Sequence, residues 1–214
     1  MRYEQDTKFY RICVICRKKI DAKKEMICPE CISKSMLYND VCLKRRQDAF
    51  DDAYCLFYYG RDMRRVMYDI KVNLNTELLF PLAGLLAEKT RELQVDLITY
   101  IPGYPARRII KGFNPAEVMA REISRIRKTP AGKTLARKAE LLPKQQKMLT
   151  RAERFESVQA IYRAVSDPGV RGKVILLVDD VLTTGATLSC CSRILKDNGA
   201  AAVYAAVAAS GRDH

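Results

Sequence analysis

Two adjacent carboxylates, Asp179 and Asp180, stand between the apolar run Val174-Ile-Leu-Leu-Val178 and the small-residue turn Thr183-Thr184-Gly185-Ala186-Thr187. Carboxylates accept hydrogen bonds, so a neighbouring pair can hold a cis-diol such as ribose O2 and O3. The turn opens a helical pattern over 186–197, stopped by Asn198-Gly199. The first N–H groups of such a helix and its positive dipole end favour an anion. Gly185 lets backbone approach that anion closely, and Thr183, Thr184 and Thr187 add hydroxyl donors. The plainer alternative is a strand-to-helix connection in which Asp and Thr serve only as turn and cap residues. Every local choice in the stretch serves one anion site, and that agreement favours a cradle for a sugar phosphate.

A second chemistry lies near the N-terminus. Cys13-Val-Ile-Cys16 and Cys28-Pro-Glu-Cys31 are two CxxC pairs separated by eleven residues. Each pair can chelate through one tight turn, and four thiolates fill a tetrahedral Zn²⁺ shell with no position left for catalysis. Free or redox-active thiols are the alternative, but a reducing compartment offers a doubled CxxC few other uses. Cys42 and Cys55 lack such partners and read as packed thiols, and Cys190 and Cys191 fall in a helical pattern as core residues. The sole histidine is His214, so histidine-based catalysis or metal ligation is nearly excluded.

Arg107, Arg108 and Lys111 precede Asn114-Pro115-Ala116-Glu117, which reads as a helix start with Asn114 as N-cap, Pro115 at the first helical position and Glu117 closing a capping box. Met119, Ile123 and Ile126 mark its expected buried face. Three cations beside a helix N-terminus suit pyrophosphate or a DNA phosphate. A solvated basic turn is the competing reading. Lys144 to Arg154 is polar and basic, and reads as a ligand-covering loop or an exposed helix. Gly132-Lys133-Thr134 ends like a Walker A loop, but position 127, where the earlier glycine belongs, is Arg.

The elements that must position these groups alternate. Residues 53–59 and 95–101 read as strands, 76–93 as a helix, 174–178 as a central strand covered on both faces, and 202–209 as the last strand. Alternation of strands and helices predicts an open, mostly parallel α/β sheet. The chain divides into a zinc module over 1–48 and a larger domain over 49–214. Its 214 residues carry a formal net charge of +13, concentrated in residues 101–160, where 14 basic and 5 acidic side chains give +9. That excess points to an anionic partner. No apolar run reaches the roughly 20 residues a membrane span needs, and the first twenty residues lack a signal-peptide core, so the expected address is the cytoplasm.

VDDVLTTGAT resembles the phosphoribosyl pyrophosphate signature of type I phosphoribosyltransferases. The resemblance implies that Asp179 and Asp180 hold the ribose hydroxyls while Thr183, Thr184, Gly185, Ala186 and Thr187 wrap the 5′-phosphate. The whole order, CxxC…CxxC, then RRxxKGFNPAE, then QxxLxRAER, then VDDVLTTGAT, resembles the ComF family of competence-associated proteins. It departs from the family's common RGFNQ at Lys111 and Pro115. The resemblance implies a zinc ribbon ahead of a phosphoribosyltransferase fold, and a place in uptake of transforming DNA with the competence machinery. Two functions follow. One is phosphoribosyl transfer, with Mg²⁺ accompanying phosphoribosyl pyrophosphate and with Arg107, Arg108 and Lys111 on the leaving group. The other is a non-catalytic scaffold that binds single-stranded DNA. No general base or acceptor pocket is legible. The zinc reading is directly testable: a strong chelator should release about one equivalent of zinc and open residues 1–45 to limited proteolysis. Unchanged protection after stripping would leave the cysteines as plain thiols.

Overall fold

The computed structural model describes residues 11–20, 26–38, 48–104, 112–137 and 161–211. Two minimal strands, β1 (Arg11–Ile12) and β2 (Lys19–Ile20), pair antiparallel across the first cysteine turn. Helix α1 (Pro29–Leu37) starts within the second, with Pro29 in its first turn, where a missing N–H costs nothing. Strand β3 (Asp52–Tyr58) follows, then α2 (Arg61–Lys71), a 3₁₀ turn over Thr76–Leu78, and α3 (Leu79–Lys89). The helical expectation over 76–93 is therefore a 3₁₀ start continued as α3. After β4 (Leu97–Tyr100) comes α4 (Pro115–Arg127), then the short antiparallel pair β5 (Leu135–Arg137) and β6 (Tyr162–Ala164). Strand β7 (Val174–Leu182), α5 (Ala186–Asp197) and β8 (Ala202–Ser210) complete the order.

The main sheet runs β3-β8-β7-β4, and every neighbouring pair in it is parallel. A fifth, rudimentary edge lies beyond β4. Ile98 bridges Ala131 in parallel, its N–H donates to Pro130 O at 2.9 Å, and Gly132 N–H returns to Ile98 O at 3.0 Å. This is the expected open α/β sheet. β7 and β8 are apolar almost throughout because helices or the β5–β6 hairpin cover both sides.

The two faces have separate cores. On one, α2, α3 and α4 pack against Leu176, Val178 and Ala206. Met63, Val66, Met67 and Ile70 of α2 follow the i, i+3, i+4, i+7 stripe and are at most 2% exposed. Ile15, Ile20, Ile27 and three of the four CxxC cysteines are buried in this same core. On the other face, α5 and the β5–β6 hairpin pack with Phe50, Ile175 and Leu177. Cys55, Cys190 and Cys191 are buried as expected. Ile126 differs from expectation: it is 42% exposed, while Ala116, Met119, Ala120 and Ile123 make the buried face of α4. The stripe narrows toward the last turn, where Arg127 rather than Ile126 turns back onto the domain.

Arg127 closes the seam between α3 and α4. One Nη donates to Thr90 O at 2.6 Å and Thr90 Oγ1 at 2.9 Å, and the other donates to Leu93 O. Burial lowers the Arg127 pKa. Arg127→Met should lower stability by roughly 1.5–3 kcal/mol, read by urea unfolding at constant m, because it strands the buried Thr90 and Leu93 acceptors.

Candidate phosphate-loop site

The expected strand 174–178 is longer in the structure. β7 continues through both acids to Leu182, pairing Asp179 with Val207, Val181 with Ala209 and Leu182 with Ser210. The acids are therefore strand residues, and successive strand side chains point to opposite faces. Asp179 lies toward the α5 face, where its charge acts on Cys191 and on Tyr162 of β6. Asp180 lies toward the α2 face and makes an ion pair with Lys71, the last residue of α2. Asp179 Oδ1 accepts the Asp180 N–H at 2.8 Å, which curls that carboxylate toward the strand end. Burial, and then the charge of Asp180, hold the Asp179 pKa above the usual carboxylate range, with Lys71 pulling the other way.

Beyond Leu182 the chain turns through exposed Thr183 and Thr184 to Gly185, which is the N-cap of α5. Gly185 has φ 83°, a left-handed conformation that a side chain would strain. Thr184 Oγ1 accepts the Ala186 N–H at 3.4 Å, and Gly185 O accepts the Ser189 N–H at 2.8 Å. The first turn of α5 thus presents backbone N–H groups beside Thr183, Thr184 and Thr187, with no acidic side chain in that turn.

The turn sits where the fold reverses direction. The connection leaving β4 through α4 lies on one face of the sheet, and the connection leaving β7 through α5 lies on the other. β4 and β7 are neighbours, with Tyr100 opposite Val178 and Ile101 N–H donating to Val178 O at 3.0 Å. The crevice outside the carboxyl ends of two such strands is the general ligand position of open α/β sheets.

The second expected anion element reaches the same edge. Asn114 is the N-cap of α4: its side chain accepts the Ala116 N–H at 3.2 Å and donates to Ile101 O at 2.9 Å. That bond fixes the start of α4 to the residue following β4. Gly112, two residues earlier, has φ 77°. Glu117 is engaged by Arg121 one turn on, at 2.9 Å. Arg107, Arg108 and Lys111, and the stretch Lys144–Arg154, lie outside the described residues.

Two groups at the site escaped the sequence reading. Lys71 is distant in sequence, and the pattern of α2 marked only its apolar stripe. Arg137 of β5 stacks on the Tyr104 ring at 4.3 Å and the Tyr162 ring at 5.5 Å, and its Nη1 donates to Tyr162 Oη at 3.1 Å. Tyr104 follows the carboxyl end of β4, so this stack walls the crevice on the Asp179 side.

The four expected metal ligands come together. Among the described residues, Cys13, Cys16, Cys28 and Cys31 form the cluster able to hold a metal ion, with all four Sγ atoms within 4.8 Å of one another. Cys16 and Cys28 Sγ are 3.6 Å apart, close to the roughly 3.8 Å edge of a tetrahedron with Zn–S bonds of about 2.3 Å. Burial works against the Cys13 thiolate, but backbone N–H groups, Cys16 and Cys28 foremost, overcome it and bring the pKa down to about 7. Burial, then Cys28 and Cys16, push Cys31 up. The donor set suits a soft tetrahedral cation.

The comparisons with known proteins agree with this geometry. The Phosphoribosyl transferase domain family matches residues 110–214. Competence protein F of Haemophilus influenzae is 25% identical over 197 residues, covering 88% of this chain and 85% of that protein. DNA utilization protein YhgH of Escherichia coli strain K12 is 26% identical over 212 residues, covering 90% and 87%. Both proteins resemble this chain over most of its length. The chain has an open, mostly parallel α/β sheet of the phosphoribosyltransferase kind and an N-terminal cysteine cluster. Similar solved structures include the glutamine phosphoribosylpyrophosphate amidotransferase of B. subtilis, 20% identical with a TM-score of 0.44. That match takes in 60% of this chain and a quarter (25%) of the amidotransferase. The purine phosphoribosyltransferase of Pyrococcus horikoshii is 23% identical with a TM-score of 0.37, covering 60% and 70%.

The raised Asp179 pKa has a stability consequence with a definite sign. A carboxyl whose native pKa exceeds its unfolded value stabilises the fold when protonated and loses that contribution as pH rises. Asp179→Asn should match wild type in thermal stability below about pH 4, the unperturbed carboxyl range, and gain on it through the raised native value. A gain of roughly 2–4 °C at pH 8 is expected by differential scanning calorimetry. A gap that narrows with rising pH would contradict the burial argument.

Proposed function

We propose that this chain binds phosphoribosyl pyrophosphate or a related ribose phosphate at the end of β7 and acts in natural competence. The single observation that carries the reading is the placement of the acid pair and the Gly185 helix start together at the sheet's switch point. The 5′-phosphate accepts hydrogen bonds from the first backbone N–H groups of α5 and from the hydroxyls of Thr183, Thr184 and Thr187. The ribose hydroxyls donate to Asp179 and Asp180, each from its own side of the strand end. Carboxylate oxygens also suit Mg²⁺, which would arrive with the pyrophosphate and neutralise part of its charge. Arg107, Arg108 and Lys111 are assigned to the pyrophosphate, since Asn114 fixes the helix start that follows them next to the crevice. The cysteine cluster holds zinc as a structural ion. Phosphoribosyl transfer is the reaction this arrangement would serve, with the displaced pyrophosphate leaving toward those cations.

The assignment to competence rests on the names of the two relatives, a competence protein and a DNA utilization protein. A cytoplasmic location fits that role, and among the described residues no helix is long and apolar enough to cross a membrane. The charge of residues 101–160 favours a second reading, in which the fold is kept as a scaffold for single-stranded DNA. Isothermal titration with phosphoribosyl pyrophosphate, with and without Mg²⁺, separates the two. Wild type should bind and Asp180→Asn should lose about tenfold or more in affinity, the cost of one charge-assisted hydrogen-bond partner. Absence of binding by wild type, together with DNA affinity that falls steeply with salt, would transfer the proposal to the scaffold reading.

A further inference from the structure

Helix α2 touches both chemistries of the molecule. Near its middle, Arg65 donates through one Nη to Ile15 O, a carbonyl inside the first CxxC turn, and through the other to Asp62 at 3.2 Å. One turn on, Asp69 accepts from Arg17, the residue after Cys16, at 3.5 Å. At its last residue, Lys71 pairs with Asp180 beside the phosphate loop. Arg65 and Lys71 are six residues apart, about 9 Å along the axis. The same helix buries Met63, Val66, Met67 and Ile70, which locks its rotation and its axial position against the sheet. A displacement of the cysteine turn therefore moves the α2 backbone, and with it the ammonium facing Asp180.

We propose that Lys71 is a positioning residue for the ribose-gripping acid Asp180, and that α2 sets it from the metal cluster, so that the state of the cysteine site is transmitted to the sugar-phosphate site. This deepens the ribose-phosphate reading and rests on it. Lys71 holds Asp180 in one orientation and offsets the repulsion between two adjacent carboxylates, so the pair is ready before ligand arrives. Arg65 and Asp69 hold the helix that carries it. The knuckle is then more than a folding staple: its metal fixes a helix whose far end faces the ligand. Coupling of this kind is reciprocal in equilibrium affinity, so a ligand held at Asp180 alters the affinity for zinc by the same factor that zinc alters the affinity for the ligand.

The experiment uses the zinc-loaded full chain and the variants Lys71→Met, Lys71→Arg, Arg65→Ala, Asp180→Asn and the Arg65→Ala/Lys71→Met double. Ribose 5-phosphate and phosphoribosyl pyrophosphate are titrated calorimetrically, and zinc affinity is measured at equilibrium by competition with a chromogenic chelator. Lys71→Met should weaken ligand binding about fivefold to tenfold, Lys71→Arg should recover most of the loss, and Arg65→Ala should cost about threefold without adding to Lys71→Met. Lys71→Met and Asp180→Asn should both hold zinc about twofold to threefold more weakly than wild type. Wild-type affinity in Lys71→Met, failure of Lys71→Arg to recover binding, or full additivity in the double variant overturns the proposal. If wild type binds neither sugar phosphate, the ribose-phosphate reading fails by itself. The zinc affinities then decide the link through α2, and equal affinities in wild type, Lys71→Met and Asp180→Asn overturn it.

Discussion

Parallel pairing of β7 on both edges is the constraint from which the site follows. With β8 on one side and β4 on the other, the backbone of Val174–Leu182 has its ladder partners supplied along most of its length, and its side chains must satisfy two separate cores. Extending that pairing past the apolar run brings Asp179 and Asp180 to the sheet's rim while they are still held in strand geometry. A loop would leave their directions free. A paired strand sends one toward α5 and the other toward α2, and no local change of rotamer can bring both to the same face.

The helix start benefits from the same rigidity. Gly185 takes its left-handed conformation three residues after Leu182, where the strand ends in a hydrogen bond from Gly211 N–H to Leu182 O at 2.8 Å. α5 is in turn tied back to the chain before β3, because Ser189 Oγ accepts the Ala49 N–H at 2.9 Å and Lys196 pairs with Asp51 at 2.8 Å. The donors at its N-terminus are therefore fixed from both ends of the helix. Preorganised donors of this kind need little reordering when an anion arrives.

Much of this was legible in residue order because local rules and global fold agree. The helix read over 186–197 has those bounds in the structure, Asn114 is the cap its spacing promised, and the doubled CxxC forms one cluster. The misreadings have physical causes. Acids and a valine after an apolar run look like a turn, yet β8 supplies partners as far as Leu182, so tertiary pairing overrides a local signal. Ile126 sits at helical spacing from Ile123, but Arg127 takes the inward position of that last turn, so the apolar side chain is left 42% exposed. Lys71 and Arg137 carry no motif. Their roles arise from contacts more than twenty residues away in sequence, which periodicity cannot register.

The sharing of a single apolar layer between the cysteine turns and helices α2–α4 has a consequence for the newly made chain. Ile15, Ile20 and Ile27 are roofing for the larger sheet, and a polypeptide whose cysteine cluster stayed unclosed would leave part of that side of the sheet uncovered and sticky. Metal supply during synthesis would then govern how much usable protein accumulates, through clearance by chaperones and proteases, before any ligand is encountered.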